Sequence, residues 1–208
     1  MTPLLNLKAG LSSKVGSNSI FMKLIIGLGN PNQHYNNTRH NVGFMLLDWL
    51  VKGYGEESLK FDPKLNAETS KGKIEKTKVL FIKPKTYVNA SGEVLKKIKK
   101  KEQFKPQDVI VLHDDLDIPF KKIKIKFESH SGGHKGIESI TKALKTNKFF
   151  RLKIGTANKE MEKMRSAPKK QKVAFVTKFV LAPFSKSEQT KLKDIFKIAQ
   201  ERLEELLK

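Results

Sequence analysis

Two short stretches concentrate groups able to move protons. One runs from Asn30 to His40 and carries carboxamides and an imidazole; the other is His113-Asp114-Asp115. A carboxylate beside an imidazole can fix its tautomer and stabilise the imidazolium, leaving the second ring nitrogen to take a proton from water. Carboxamides such as Asn30 and Asn89 could hold that water or donate to a developing oxyanion. The set describes a hydrolase without a covalent nucleophile. The chain has no cysteine, which excludes disulfides, thiolate metal sites and a cysteine nucleophile.

Each feature has a plainer reading. Gly27-x-Gly29 follows an apolar run as a dinucleotide fingerprint would, but Asn32 stands where a third glycine belongs and Pro31 intrudes. A nucleotide-dependent enzyme is therefore disfavoured. A single histidine in the first turn of a helix is more often structural than catalytic. His113, His130 and His134 near aspartates suggest a metal, but Gly132-Gly133 breaks the helical i,i+4 pairing that two-histidine zinc motifs use, so no metal is expected.

The elements that must position these groups can be read from periodicity. Leu24-Ile25-Ile26 is a buried strand that breaks into the turn Gly27–Pro31. A helix entered near Thr38 carries Arg39, His40 and Asn41 in its first turn and Val42, Met45, Leu46, Trp49 and Leu50 on its apolar face. A strand pair is expected around Leu65–Lys73 and Val79–Pro84, then a helix capped by Ser91 that buries Val94, Leu95 and Ile98. Asp108–Leu112 is a buried strand emptying into His113-Asp114-Asp115. Ile123, Ile125 and Phe127 alternate with Lys122, Lys124 and Lys126, giving a strand with one basic face. A Gly/His turn at Ser129–Gly136 leads to a short helix with Ile137, Ile140 and Leu144, and Phe150–Ile154 alternates as a further strand. Thr156–Lys172 is polar and patternless and reads as a mobile surface loop. A closing amphipathic helix buries Leu192, Ile195, Phe196, Ala199, Leu203 and Leu206. The fold class is α/β: a single domain with a twisted, mixed and mostly parallel sheet flanked by helices. Ligands of such sheets gather at the carboxyl ends of strands, where both polar stretches fall.

The chain has 208 residues, enough for one well-buried core, and a formal charge of +21. Such an excess suits a polyanionic partner, nucleic acid first, although lysine outnumbers arginine so heavily that coding bias explains part of it. No window reaches the length of a membrane span. Residues 1–21 show no convincing periodicity and read as a disordered extension before a domain over 22–208. A weak organelle address, or initiation at Met22, fits that extension as well.

Taken together the stretches resemble the bacterial-type peptidyl-tRNA hydrolase family. They are GLGNP at Gly27–Pro31, Tyr35 with TRHNVGF at Thr38–Phe44, KPKTYVNASG at Lys83–Gly92, HDDLDIP at His113–Pro119, SGGHKGI at Ser131–Ile137 and RLKIG at Arg151–Gly155. The resemblance implies a monomeric, cofactor-free cytoplasmic enzyme that cleaves the ester joining a peptide to the 3′ end of tRNA. It implies no protein partner and no membrane. His40 matches the catalytic histidine, Asp114 the aspartate that orients it, and Asn30 and Asn89 the asparagines at the peptide end and oxyanion. Tyr35, Tyr87 and Lys135 fall in the substrate-binding stretches. Lys124, Lys126, Arg151 and Lys153 match basic segments that meet tRNA, which makes the lysine strand a phosphate track. Lys135 stands where the family usually has asparagine, Ala182 where it usually has glycine, and Thr156–Lys172 replaces a shorter Gly/Pro-containing link. These departures leave open a non-catalytic RNA-binding protein on the same scaffold.

Overall fold

A computed structural model describes residues 22–100 and 104–208. The expected extension over residues 1–21 lies outside the described residues, as does Lys101.

Among the described residues seven strands form one mixed sheet in the order β2-β3-β4-β1-β5-β7-β6. They are β1 (Lys23–Gly27), β2 (Lys60–Asp62), β3 (Ala67–Ile74), β4 (Thr77–Pro84), β5 (Val109–Pro119), β6 (Ile123–Phe127) and β7 (Phe150–Ala157). β1 runs parallel to β4 and β5, and β5 parallel to β7, while the three outer pairs are antiparallel, so the sheet is mixed as expected but not mostly parallel. The central strands carry unbroken apolar runs because both faces are covered. Ile25, Ile110 and Leu112 enter one core; Leu24, Ile26, Val109 and Val111 enter the other.

Helices α1 (Val42–Tyr54) and α6 (Lys186–Leu207) cover the first face, and α2 (Glu93–Lys99) and α3 (Lys135–Leu144) the second. Gly43 brings the start of α1 against the strand ends: a Cβ there would lie 2.3 Å from the Leu112 carbonyl oxygen and 2.7 Å from that of Leu28. Its missing side chain sets how close His40 comes to β5.

Four further expectations are corrected. β5 does not end at Leu112 but continues to Pro119, so His113, Asp114 and Asp115 lie within it; a register shift follows between Asp115 and Pro119. His40 lies in a 3-10 turn, Arg39–Asn41, ahead of α1. Ser91 does not cap α2; its hydroxyl donates to the Val88 carbonyl, and Gly92 takes the cap position. The patternless Thr156–Lys172 is largely helical, forming α4 (Lys159–Lys163), a 3-10 turn at Met164–Ser166 and the start of α5 (Lys169–Leu181). Asn158 caps α4 by accepting from the Met161 N–H. Of α5 only Phe179 is fully buried. The apolar residues of α5, Phe175, Val176 and Phe179, lie beyond Lys172, so the stretch itself shows no apolar periodicity.

Candidate active site

Three imidazoles surround one buried carboxylate. His40 Nδ1 lies 2.8 Å from Asp114 Oδ1, and His134 Nε2 lies 3.0 Å from the same oxygen. The partners fix the tautomers. His134 occupies the cap position of α3, where its Nδ1 accepts from the N–H groups of Gly136 (3.1 Å) and Ile137 (3.4 Å). A nitrogen that accepts carries no proton, so neutral His134 holds its proton on Nε2 and donates it to Asp114. An ionised carboxylate can only accept, so His40 also donates through Nδ1 and keeps a lone pair on Nε2. His113 stands edge-on to His134 with ring centroids 4.9 Å apart. It donates through Nδ1 to the Asp114 carbonyl (2.6 Å), and its buried Nε2 has no partner among the described residues.

Charge follows from this geometry. Burial alone would raise the Asp114 pKa, but the two imidazoles outweigh it and hold the carboxyl well below its usual range. Burial lowers the His40 pKa, and the charge and hydrogen bond of Asp114 overturn that and raise it above 6.5. His113 is driven the other way, well below 6.5, by burial first and then by its His134 neighbour. The cluster thus holds one anion, one histidine that charges readily and one that stays neutral. With its side chain 12% exposed, His40 is the member that solvent reaches most.

Asn30 is built into the neighbouring wall. Its N–H donates to Asn41 Oδ1 (2.8 Å), Asn41 Nδ2 donates back to its carbonyl (2.9 Å), and its own Oδ1 accepts from the Val88 N–H (3.0 Å). Every one of these bonds leaves Asn30 Nδ2 free to donate elsewhere. The Val88 bond also ties down the 3-10 turn Val88–Ala90, which presents Asn89 as an exposed side chain. Tyr87 is 53% exposed, and its hydroxyl accepts from Asn32 Nδ2 (3.3 Å). Tyr35 is half-buried in the turn Gln33–Tyr35, and its carbonyl accepts from the Thr38 side chain. Lys135 points into solvent and pairs with Glu138 at 3.0 Å, away from the His40–Asp114 bond.

The basic strands divide into reachable and buried residues. Lys124 and Lys126 are exposed on the edge strand β6, opposite Lys153 and Arg151 of β7. Lys153 is 17% exposed and pairs with Asp115 at 2.7 Å. Arg151 corrects the expectation of a phosphate contact. It is wholly buried, donates to the His130 carbonyl (2.7 Å) and lies over the Phe149 ring. Its role in this geometry is to hold the loop before α3.

Two residues of consequence have no role that the sequence alone assigns. Asn41 reads there as one more first-turn residue, and His134 as a candidate metal ligand and no more. Their signal is present, since both fall in the motif stretches, but only the fold aims them at Asn30 and Asp114. Among the described residues His40, Asp114 and His134 are also the one group spaced to hold a metal ion, with ligand atoms within 4.8 Å of one another. A metal there would have to replace both imidazole protons that now bind Asp114. A separate cleft of about 380 Å³, lined by Asn36, Trp49, Lys52, Lys83 and others, touches this site only through Asn41.

A family model described as peptidyl-tRNA hydrolase matches residues 24–208. The chain belongs to the peptidyl-tRNA hydrolase family. Relatives named peptidyl-tRNA hydrolase include one from Thermodesulfovibrio yellowstonii, 39% identical over 83% of this chain and 86% of its own length. Another, from Lactobacillus johnsonii, is 38% identical over 90% and 94%. The crystal structure of peptidyl-tRNA hydrolase from Acinetobacter baumannii matches with a TM-score of 0.75 and 32% identity, covering 89% of this chain and 88% of that one. A peptidyl-tRNA hydrolase in complex with N-propanol matches at a TM-score of 0.76 and 31% identity, over 91% and 90%. Family membership removes support from the non-catalytic RNA-binding reading, because these relatives and neighbours bear the name of the enzyme.

Proposed function

We propose that this chain carries out the family's hydrolysis of peptidyl-tRNA with His40 as general base. The observation that carries the reading is the His40 Nδ1–Asp114 Oδ1 bond of 2.8 Å, which leaves Nε2 as the basic nitrogen. Nε2 takes a proton from water as the water oxygen attacks the ester carbonyl, and Asp114 stabilises the imidazolium. Asn30 Nδ2 and Asn89 donate to the tetrahedral oxyanion. When the intermediate collapses, the carbonyl re-forms, the bond to the ribose oxygen breaks, and the imidazolium returns its proton to that oxygen. Free tRNA and a peptide with a new carboxylate leave.

Lys124 and Lys126, on one exposed face and without carboxylate partners among the described residues, hold the acceptor arm by its phosphates. Tyr35, Tyr87 and Lys135 line the approach, while Lys153, in register with Lys124 on the same face, is already paired with Asp115. Residues 22–208 act as one catalytic domain, as a monomer in the cytoplasm.

The test is peptide release from an N-blocked aminoacyl-tRNA. His40→Ala should lose at least about a hundredfold in kcat, the lower end of what general-base catalysis contributes. Near wild-type turnover would remove His40 from the mechanism. Lys124→Gln/Lys126→Gln should raise KM and flatten its salt dependence by roughly 0.7–0.9 in log–log slope for each phosphate no longer neutralised.

A further inference from the structure

The segment α4–α5 is not a plain surface connection. It is fastened both to β5, the strand that holds Asp114, and to the turn that holds His40. At one end Arg165 donates to the Asp117 carbonyl (3.3 Å) at the end of β5, and Met161 packs with Ala157 and Leu116. At the other, the N–H of Arg39, the residue before His40, donates to the Ala182 carbonyl (3.1 Å). The Arg39 guanidinium binds the Ala182 and Pro183 carbonyls and Glu188, and lies 4.4 Å from the Phe179 ring centroid. The segment therefore spans from the strand that holds Asp114 to the turn that holds His40.

Its outer surface is strongly cationic. Lys159, Lys163, Lys169, Lys170, Lys172 and Lys178 on the helices and Arg165 between them stand against only Glu160 and Glu162, and all but Lys172 are exposed. Among the described residues none of these lysines pairs with a carboxylate, whereas Lys83, Lys85, Lys96, Lys135 and Lys153 all do. Six like charges on two short helices repel one another, a cost that an anionic ligand would relieve. On α5, Lys169, Lys170 and Val173 share one face by i+3 and i+4 spacing, with Val173 59% exposed. An aliphatic surface between two ammonium groups suits a polynucleotide backbone, with its sugars between phosphates.

We propose that α4–α5 is a second phosphate-binding surface, separate from Lys124 and Lys126, which holds the substrate's RNA strand close to the scissile ester. The inference rests on the hydrolase reading, which puts the strand's 3′ end at His40, next to the Arg39 contacts that fasten this segment. It places substrate selection partly on lysines outside the motif stretches.

The experiment compares wild type, Lys163→Gln/Lys169→Gln/Lys170→Gln and a charge-matched control, Lys71→Gln/Lys73→Gln/Lys76→Gln, on the exposed β3–β4 hairpin. Each is assayed on N-blocked aminoacyl-tRNA across a salt series, with melting temperatures recorded. Wild-type turnover tests the hydrolase reading by itself. The α4–α5 variant should raise KM about tenfold at low salt and lower the log–log salt slope by about 2, as three neutralised phosphates at roughly 0.7 each require. The control should shift KM by less than about threefold. Equal effects in the two variants would mean that net charge alone steers the RNA, and an unchanged slope in the α4–α5 variant would mean that it touches no phosphate; either overturns the proposal. Lys163→Arg/Lys169→Arg/Lys170→Arg should restore wild-type KM and slope, and failure to do so would assign the loss to helix packing.

Discussion

Replacing Asp114 by Asn tests the electrostatics of the site most directly. An asparagine carbonyl can still accept from His40 Nδ1 and His134 Nε2, so the geometry survives while the charge is lost. In the transition state His40 is an imidazolium, and its partner falls from a carboxylate to an amide. General-base assistance is worth about 10²–10⁴ in rate, and each decade corresponds to about 1.36 kcal/mol, so kcat should fall by roughly 3–5 kcal/mol of barrier. The pH profile carries the sharper signature. In the wild type Asp114 outweighs burial and raises the His40 pKa. Activity needs neutral Nε2, so the acid limb of kcat should lie above pH 6.5. In the variant burial acts unopposed, and the limb should move below 6.5 even as the rate falls. The assay is peptide release from N-blocked aminoacyl-tRNA between about pH 5 and 9. A limb that stays in place or moves upward would refute the argument, as would a loss of less than about threefold.

The remaining predictions follow the same geometry. His134→Ala removes a helix cap and one of two donors to Asp114, so it should cost about 0.5–2 kcal/mol in urea unfolding and lower kcat. The Asp114 carboxyl, depressed in the folded state, contributes stability above the unfolded carboxylate range and loses it as pH falls through its folded value. His40, raised, contributes below about 6.5 and loses it as pH rises through its folded value. Melting temperature against pH should therefore show the pair's contribution as a wild-type excess over Asp114→Asn between about pH 4 and 6.5. Gly43→Ala drives a Cβ into two backbone carbonyls and should destabilise by about 1–3 kcal/mol or more while lowering kcat through His40 placement. Arg151→Ala should cost about 2–4 kcal/mol in unfolding and leave the salt slope of KM unchanged, where a phosphate contact would shift it. Lys135→Asn should leave the acid limb of kcat in place, since the ammonium pairs with Glu138.

The strands other than β2, and helices α1, α2, α3 and α6, are legible in the sequence because each carries an apolar run or a periodic apolar face, which is a local property of the chain; β2, largely exposed, carries neither. The runs at Leu24–Ile26 and Val109–Leu112 mark buried strands and the alternation at Ile123–Phe127 marks one with a basic face, but their order in the sheet is a tertiary fact. The residue types that do the chemistry are legible too, as His40, Asp114, Asn30 and Asn89 stand in compact polar stretches. What stays hidden depends on distance along the chain. That His134 caps a helix with one nitrogen and binds Asp114 with the other needs β5 and α3 side by side. That Arg151 is buried needs the loop at His130 to fold over it; one-dimensional alternation puts it on the basic face with Lys153. Within Thr156–Lys172 the helices bury little beyond Met161, so no apolar stripe announces them, and their packing comes from Leu116 and from α5 residues past Lys172. Sequence alone determined which groups exist and where the periodic apolar segments lie. Tertiary structure decided which imidazole meets the carboxylate, which cations are already paired, and which remain for a ligand, because pairing and burial depend on neighbours that the chain brings from far away.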